Sequence, residues 1–126
     1  MYFFKFLIMK IKFLIIDRWT KDFVREVYER NESDQSDYSV EYAESVEMAV
    51  YELAEQFITG HCENSGDLTA IPIGKSIQEM LTGIYNHFEE CDGMLFTSLE
   101  FSEDVEQFLY SLGSYLSKGN FSEPFL

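Results

Sequence analysis

Residues 45–60 read SVEMAVYELAEQFITG. Val46, Ala49, Val50, Leu53, Phe57 and Ile58 recur at steps of three and four, the spacing of a helix with one apolar face. Ser45 can cap such a helix and Gly60 can end it. A start near Ser39 competes with this reading, because Tyr42 and Ala43 also fit the helical period.

Upstream, Tyr38, Val40 and Tyr42 alternate with Ser39, Glu41 and Ala43, which predicts a strand near 38–43. Thr20 is the expected cap of a helix over about 20–30, with Phe23, Val24, Val27 and Tyr28 as its apolar positions. Ile11, Phe13 and Ile15 alternate with Lys10, Lys12 and Leu14, which predicts a strand over 10–16 with one buried face. Downstream, 61–74 reads as a loop with a short extended piece at 68–71, where Ile71 precedes Pro72. Ile77, Met80, Leu81, Ile84, Tyr85 and Phe88 mark a helix over 76–91, stopped by Asp92 and Gly93. Residues 94–101 read as a strand. Ser102 is the expected cap of a last helix over 103–117, carrying Val105, Phe108, Leu109, Leu112 and Leu116. Four helices and a few strands give an α+β, helix-rich, single small domain over 1–126.

The charge is uneven. The chain has 126 residues and a formal net charge of −14, but residues 1–30 carry seven basic residues against four acidic ones, a sum of +3. Residues 31–126 carry only Lys75 and Lys118 against nineteen acids, a sum of −17. With 46% hydrophobic and 17% aromatic residues the chain has the material for a core, so a disordered acidic tail is excluded. A direct grip on nucleic acid or anionic lipid needs clustered Lys and Arg, which this composition lacks. The expected partner is a basic protein, above all one that itself handles nucleic acid. The 21 aromatic residues are many for one small core and leave room for a homodimer.

Residues 1–16, MYFFKFLIMKIKFLII, hold no apolar run longer than four residues, far short of the ~20 that a membrane span needs. Asp17, Arg18 and Trp19 stand where small cleavage-site residues would follow a signal peptide, so a cytoplasmic protein is expected. Residues 1–8 have the codon character of a translated AT-rich leader, which makes Met9 a candidate start.

Catalytic motifs are incomplete. Gly74, Lys75 and Ser76 match the end of a phosphate-binding loop, but Thr69 stands where its first glycine belongs. Carboxylate pairs such as Glu89 with Glu90 are too frequent to mark acid–base chemistry. No nucleophile sits beside a base in a recognisable turn, so the chain reads as a non-enzyme without a cofactor. His61 with Cys62 and His87 with Cys91 form two local pairs that suit tetrahedral zinc, which makes a zinc-stabilised domain the alternative. An enzyme whose pocket is invisible in sequence is the second alternative.

The acidic surface remains as the feature to explain. The face of the 45–59 helix opposite its apolar stripe presents Met48, Tyr51, Glu52 and Glu55, with Glu47 on the flank. Carboxylates three and four residues apart lie about 5–6 Å from each other and can compete for a phosphate-binding groove. Glu44, Glu47, Glu63 and Asp67 extend this patch. The reading is an acidic inhibitor, immunity protein or DNA mimic of the anti-defence type that covers a basic protein surface.

Overall fold

Three side chains decide where three helices begin. Asp17 Oδ1 accepts from Thr20 N at 2.9 Å, Ser39 Oγ from Tyr42 N at 3.1 Å, and Ser98 Oγ from Phe101 N at 3.0 Å. Each takes up a backbone donor that the first helical turn leaves without a partner. The computed structural model describes residues 12–33, 38–61, 66–94, 96–119, 121 and 123–126. Its elements are β1 (Lys12–Ile16), α1 (Arg18–Glu32), α2 (Val40–Thr59), β2 (Thr69–Ile73), α3 (Lys75–Glu90) and α4 (Leu99–Lys118).

These caps shift the expected boundaries. Residues 38–43 form the start of α2 instead of a strand: Ser39 satisfies the first turn, and Ala43 and Val46 are buried at helical spacing. The expected strand at 94–101 is likewise replaced, because Ser98 caps α4 and Leu99 already belongs to the helix. Thr20, Ser45 and Ser102 lie inside helices and are not their caps. The stops are as expected. Gly60 and Gly119 end α2 and α4 with φ of 79° and 66°, and Asp92 and Gly93 turn the chain after α3 with φ of 57° and 75°.

β1 and β2 pair antiparallel in a two-stranded sheet, with Leu14 opposite Ile71 and Lys12 opposite Ile73. Leu14, Ile16, Ile71 and Ile73 are fully buried against the helices, whereas Phe13 is exposed and Ile15 half-buried, so β1 buries the face opposite to the one expected; residues 10 and 11 lie outside the described residues. The chain end extends this pairing: Phe125 N donates to Pro72 O at 2.9 Å and Phe125 O accepts from Gly74 N at 3.0 Å. Pro72 keeps its place in β2 because its carbonyl, which proline retains, makes that outer contact.

The helices alternate in direction. In α1 and α2, Thr20 meets Glu52 and Arg30 meets Tyr42; in α2 and α3, Tyr51 stacks between Tyr85 and Phe88. In α3 and α4, Phe88 packs on Phe101, while Tyr28 and Tyr110 close α4 back against α1. The ends of α1 and α3 therefore lie with the starts of α2 and α4. Val24, Val27, Val46, Val50, Leu53, Leu81, Phe88, Leu109 and Leu112 fill the space between the four helices. Among the described residues, no helix is long and apolar enough to cross a membrane.

The α1–α4 contact depends on Gly113, where a Cβ would fall 2.6 Å from Tyr28 Cβ and 3.0 Å from the Val24 carbonyl. Gly83, exposed on α3, has open space around it. Gly113→Val should therefore cost about 1–3 kcal/mol through overpacking. Gly83→Ala should stabilise by about 0.5–1 kcal/mol through helix propensity. Urea unfolding of the two variants checks the opposite signs.

Candidate functional site

Alternating helix directions sort the charges by end. At one end α1 finishes with Glu29 and Glu32, and α2 begins with Glu41 and Glu44. At the same end α3 finishes with Glu89 and Glu90, followed by Asp92, and α4 begins with Glu100, Glu103 and Asp104. All ten are exposed. The base among them is Arg30, half-buried, with its guanidinium carbon 4.1 Å from the centre of the Tyr42 ring. Lys12, Arg18, Lys21, Lys75 and Lys118 belong to the opposite end, with Arg25 one turn further in; Asp17, Asp22, Asp67 and Glu79 lie at that end too, so it mixes both signs where the first end is almost wholly acidic.

Beneath the acidic end lie two more carboxylates. Glu47 is 0% exposed and Glu106 is 9% exposed. Glu47 Oε1 accepts from Thr97 N at 2.9 Å and Thr97 Oγ1 at 3.5 Å, and its Oε2 accepts from Ser102 Oγ. Glu106 Oε2 accepts from Tyr42 OH at 2.5 Å and from Asn31 Nδ2 at 3.3 Å. A carboxylate out of water is tolerated when its oxygens meet donors, and both do. The Tyr38 hydroxyl is buried near Glu106, Glu47 and Ser102 with no hydrogen bond of good geometry among the described residues, and its ring meets Tyr42 edge-on at 5.1 Å. Burial, then the charges of Glu106, Glu103 and Glu47, push the Tyr38 hydroxyl well above its ordinary range. Burial, then the hydrogen bond to Glu106, does the same to Tyr42.

The residues expected to form one patch on α2 divide three ways. Glu44 and Met48 are exposed, as is Asp67 before β2. Tyr51, Glu52 and Glu55 are half-buried. The Tyr51 hydroxyl donates to Glu55 Oε2 at 3.1 Å, and Glu52 Oε2 accepts from Thr20 Oγ1 at 3.1 Å. Partial burial and the Glu55 contact push the Tyr51 hydroxyl up to about 12. Glu47 is the clear correction: one helical step from the exposed face, it points between α2 and α4 because Thr97 and Ser102 supply its donors. Glu63 lies outside the described residues. The densest acids belong to helix termini and not to one face of α2. The acids crowded between 89 and 104 around the α3–α4 turn were the available signal.

His61 does not converge with His87 and Cys91. Cys91 Sγ lies 3.9 Å from His87 Nε2, with His87 stacked on Phe101 at 4.1 Å. His61 follows α2 near Ile15 and Asp17, at the other end of α3, a helix about 18 Å long from Lys75 to His87 at ~1.5 Å per residue. Cys62 lies outside the described residues. Among the described residues no group of three or more His, Cys, Asp or Glu is placed to hold a metal ion. Gly74 precedes α3 in extended conformation and lies against the Leu126 side chain, and its N–H donates to Phe125 O at 3.0 Å, so it serves as a backbone contact at the helix start. Lys75 reaches Glu79 at 3.9 Å.

No family model matches the chain, and neither the curated proteins nor the solved structures compared with it give a match.

Glu47→Ala strands the Thr97 N–H, while the Ser102 hydroxyl keeps the Ser98 carbonyl as an acceptor at 3.0 Å, and should cost about 1–3 kcal/mol, with Glu47→Gln, which keeps an acceptor, costing less. Urea denaturation measures both. Tyr38 and Tyr42 hold their protons more tightly folded than unfolded, so stability is full below pH 10 and falls as pH rises above it. Their phenolate absorbance should appear together with loss of helical circular dichroism. A Tyr38→Phe, Tyr42→Phe variant should lose stability less steeply above pH 10.

Proposed function

We propose that this chain is a non-enzymatic acidic binding protein that occupies the basic surface of a nucleic-acid-handling protein, as an inhibitor, immunity protein or DNA mimic. The observation that carries the reading is the set of ten exposed carboxylates drawn from four helix termini to one end of the bundle. Glu41 and Glu100 stand in first turns, where the helix dipole favours a negative charge. Glu29, Glu32, Glu89 and Glu90 stand at the ends of α1 and α3, where each is opposed by about 0.3–1 kcal/mol. Helix stability therefore accounts for only part of the set, and mutual repulsion works against all of it.

A surface that meets a phosphate-binding groove needs carboxylates a few ångströms apart and some apolar contact. Acids on adjacent helix ends supply the first. Val40, Met94 and Leu99, exposed at 52%, 58% and 43%, supply the second at the same end. Glu44 and Met48 border this surface on α2, with Tyr51, Glu52, Glu55 and Asp67 further along the molecule. The basic residues at the far end make the molecule a charge dipole, which would turn its acidic end towards a cationic partner during approach.

The test is capture of proteins from a lysate on the immobilised chain, beside a variant with Glu41, Glu44, Glu100 and Glu103 changed to Lys. The wild type should retain basic nucleic-acid-binding proteins and release them on addition of duplex DNA or as salt shortens the screening length from about 10 Å at 0.1 M to about 3 Å at 1 M. The variant, folded by circular dichroism, should retain none of them. Salt-insensitive capture, or equal capture by the variant, would overturn the reading.

A further inference from the structure

A second feature lies at the basic end. Between the first half of α1 and the last turns of α4 is a cavity of about 420 Å³, lined by Lys21, Arg25 and Tyr28 on one side and Leu116 and Ser117 on the other, with Thr69 and Phe121 at its ends. Lys21 and Arg25 stand four residues apart and so share one face of α1. We propose that this cavity binds a small organic anion with a flat apolar body, its phosphate or carboxylate held by Lys21 and Arg25.

Unpaired charge is the first argument. The chain has 23 acidic residues and nine basic ones, so a cation here has carboxylates to choose from. Arg18 reaches Asp22 at 3.7 Å and Lys75 reaches Glu79 at 3.9 Å. Among the described residues, Lys21 and Arg25 make no such pair and line the cavity. Lys21 Nζ is held across the cavity by Thr69 Oγ1 at 3.1 Å, which uses one of its three donors and leaves two. An arginine fork beside an ammonium group matches the oxygens of a phosphate or carboxylate.

The walls give the second argument. Tyr28 is stacked on Tyr110 at 5.5 Å and Phe121 on Tyr115 at 5.4 Å, so both aromatic walls are braced from behind. Rigid aromatic faces with Leu116 between them suit a flat apolar group, and the Thr69 and Ser117 hydroxyls add polar contacts at its edge. The volume falls within the ~300–1,000 Å³ of small-molecule sites. The net charge of −14 does not close this site to an anion, because the screening length at physiological salt is about 8 Å and the crowded acids lie at the other end of the helices.

The experiment titrates the full chain with phenyl phosphate, benzoate and neutral benzyl alcohol, followed by calorimetry and by amide NMR shifts. Expected are saturable binding of at least one of the two anions, shifts centred on Gly113, Leu116 and Ser117, and no saturable binding of benzyl alcohol. Arg25→Met with Lys21→Met should weaken binding about tenfold or more, the loss of charge-assisted hydrogen bonds. Lys75→Met, away from the cavity, should leave affinity unchanged. Ser117→Phe, which fills the cavity while keeping both cations, should abolish binding. No saturable binding of either anion, equal binding of benzyl alcohol, or undiminished affinity in the folded double variant would each overturn the proposal. The four glutamates changed to test the acidic end lie outside this cavity, so the two readings fail separately.

Discussion

A carboxylate removed from water must be met by donors, and Glu47 is met from the segment just before α4 and from the first turns of α4 itself. Thr97 gives its backbone N–H and Ser102 its hydroxyl, so the side chain of α2 fixes both the path into α4 and the rotation of that helix. With α4 held this way, Glu106 falls one turn later beside Tyr42 and Asn31 and ties α1 to the same place. Truncating any partner leaves a buried polar group unmet, which is why this network constrains geometry more strongly than its net contribution to stability suggests.

The same arrangement settles where the charge goes. Four helices running alternately up and down bring two helix starts and two helix ends to each pole, and the acids of this chain are concentrated at termini that share one pole. The carboxylates inside that pole are met by hydrogen-bond donors, whereas those outside it face water. Arg18, Lys21 and Arg25 of α1 lie towards the other pole, where Lys21 and Arg25 line the cavity between α1 and α4. A charge imbalance that looks like a property of the whole chain is thus divided between an acidic surface at one pole and a cavity lined by Lys21 and Arg25 towards the other.

Much of the fold was legible because burial follows period. Most apolar positions of the four helices, the strand ending at Ile16, and the stops at Gly60, Asp92–Gly93 and Gly119 are local signals that the structure keeps, but Ile58 and Met80 are exposed and β1 buries Leu14 and Ile16 in place of Phe13 and Ile15. Caps were harder to place, since several hydroxyl or carboxylate residues precede each apolar run and only one of them has the extended backbone that a cap needs. Ser102 illustrates the difficulty: it has the chemistry of a cap, but Ser98 takes that place and Ser102 turns inward to Glu47. The strand expected at 38–43 was a two-residue alternation that a helix tolerates equally well while Tyr38 stands before it and Val40 faces water.

The sequence by itself determined the helix-rich α+β class, the core stripes and the excess of acid after residue 30, because each depends on residue type and short-range spacing. Only the tertiary structure decided which acids are surface and which are core. Glu44, Glu47 and Glu52 are indistinguishable by composition, but Glu44 faces water, Glu47 is sealed between two helices and Glu52 is shared with Thr20. Long-range packing makes that distinction, since a carboxylate's surroundings are set by donors about 30 to 55 residues away along the chain. The cationic cavity has the same origin: Lys21 and Arg25 come from α1, and its other wall from α4, nearly the full length of the chain later.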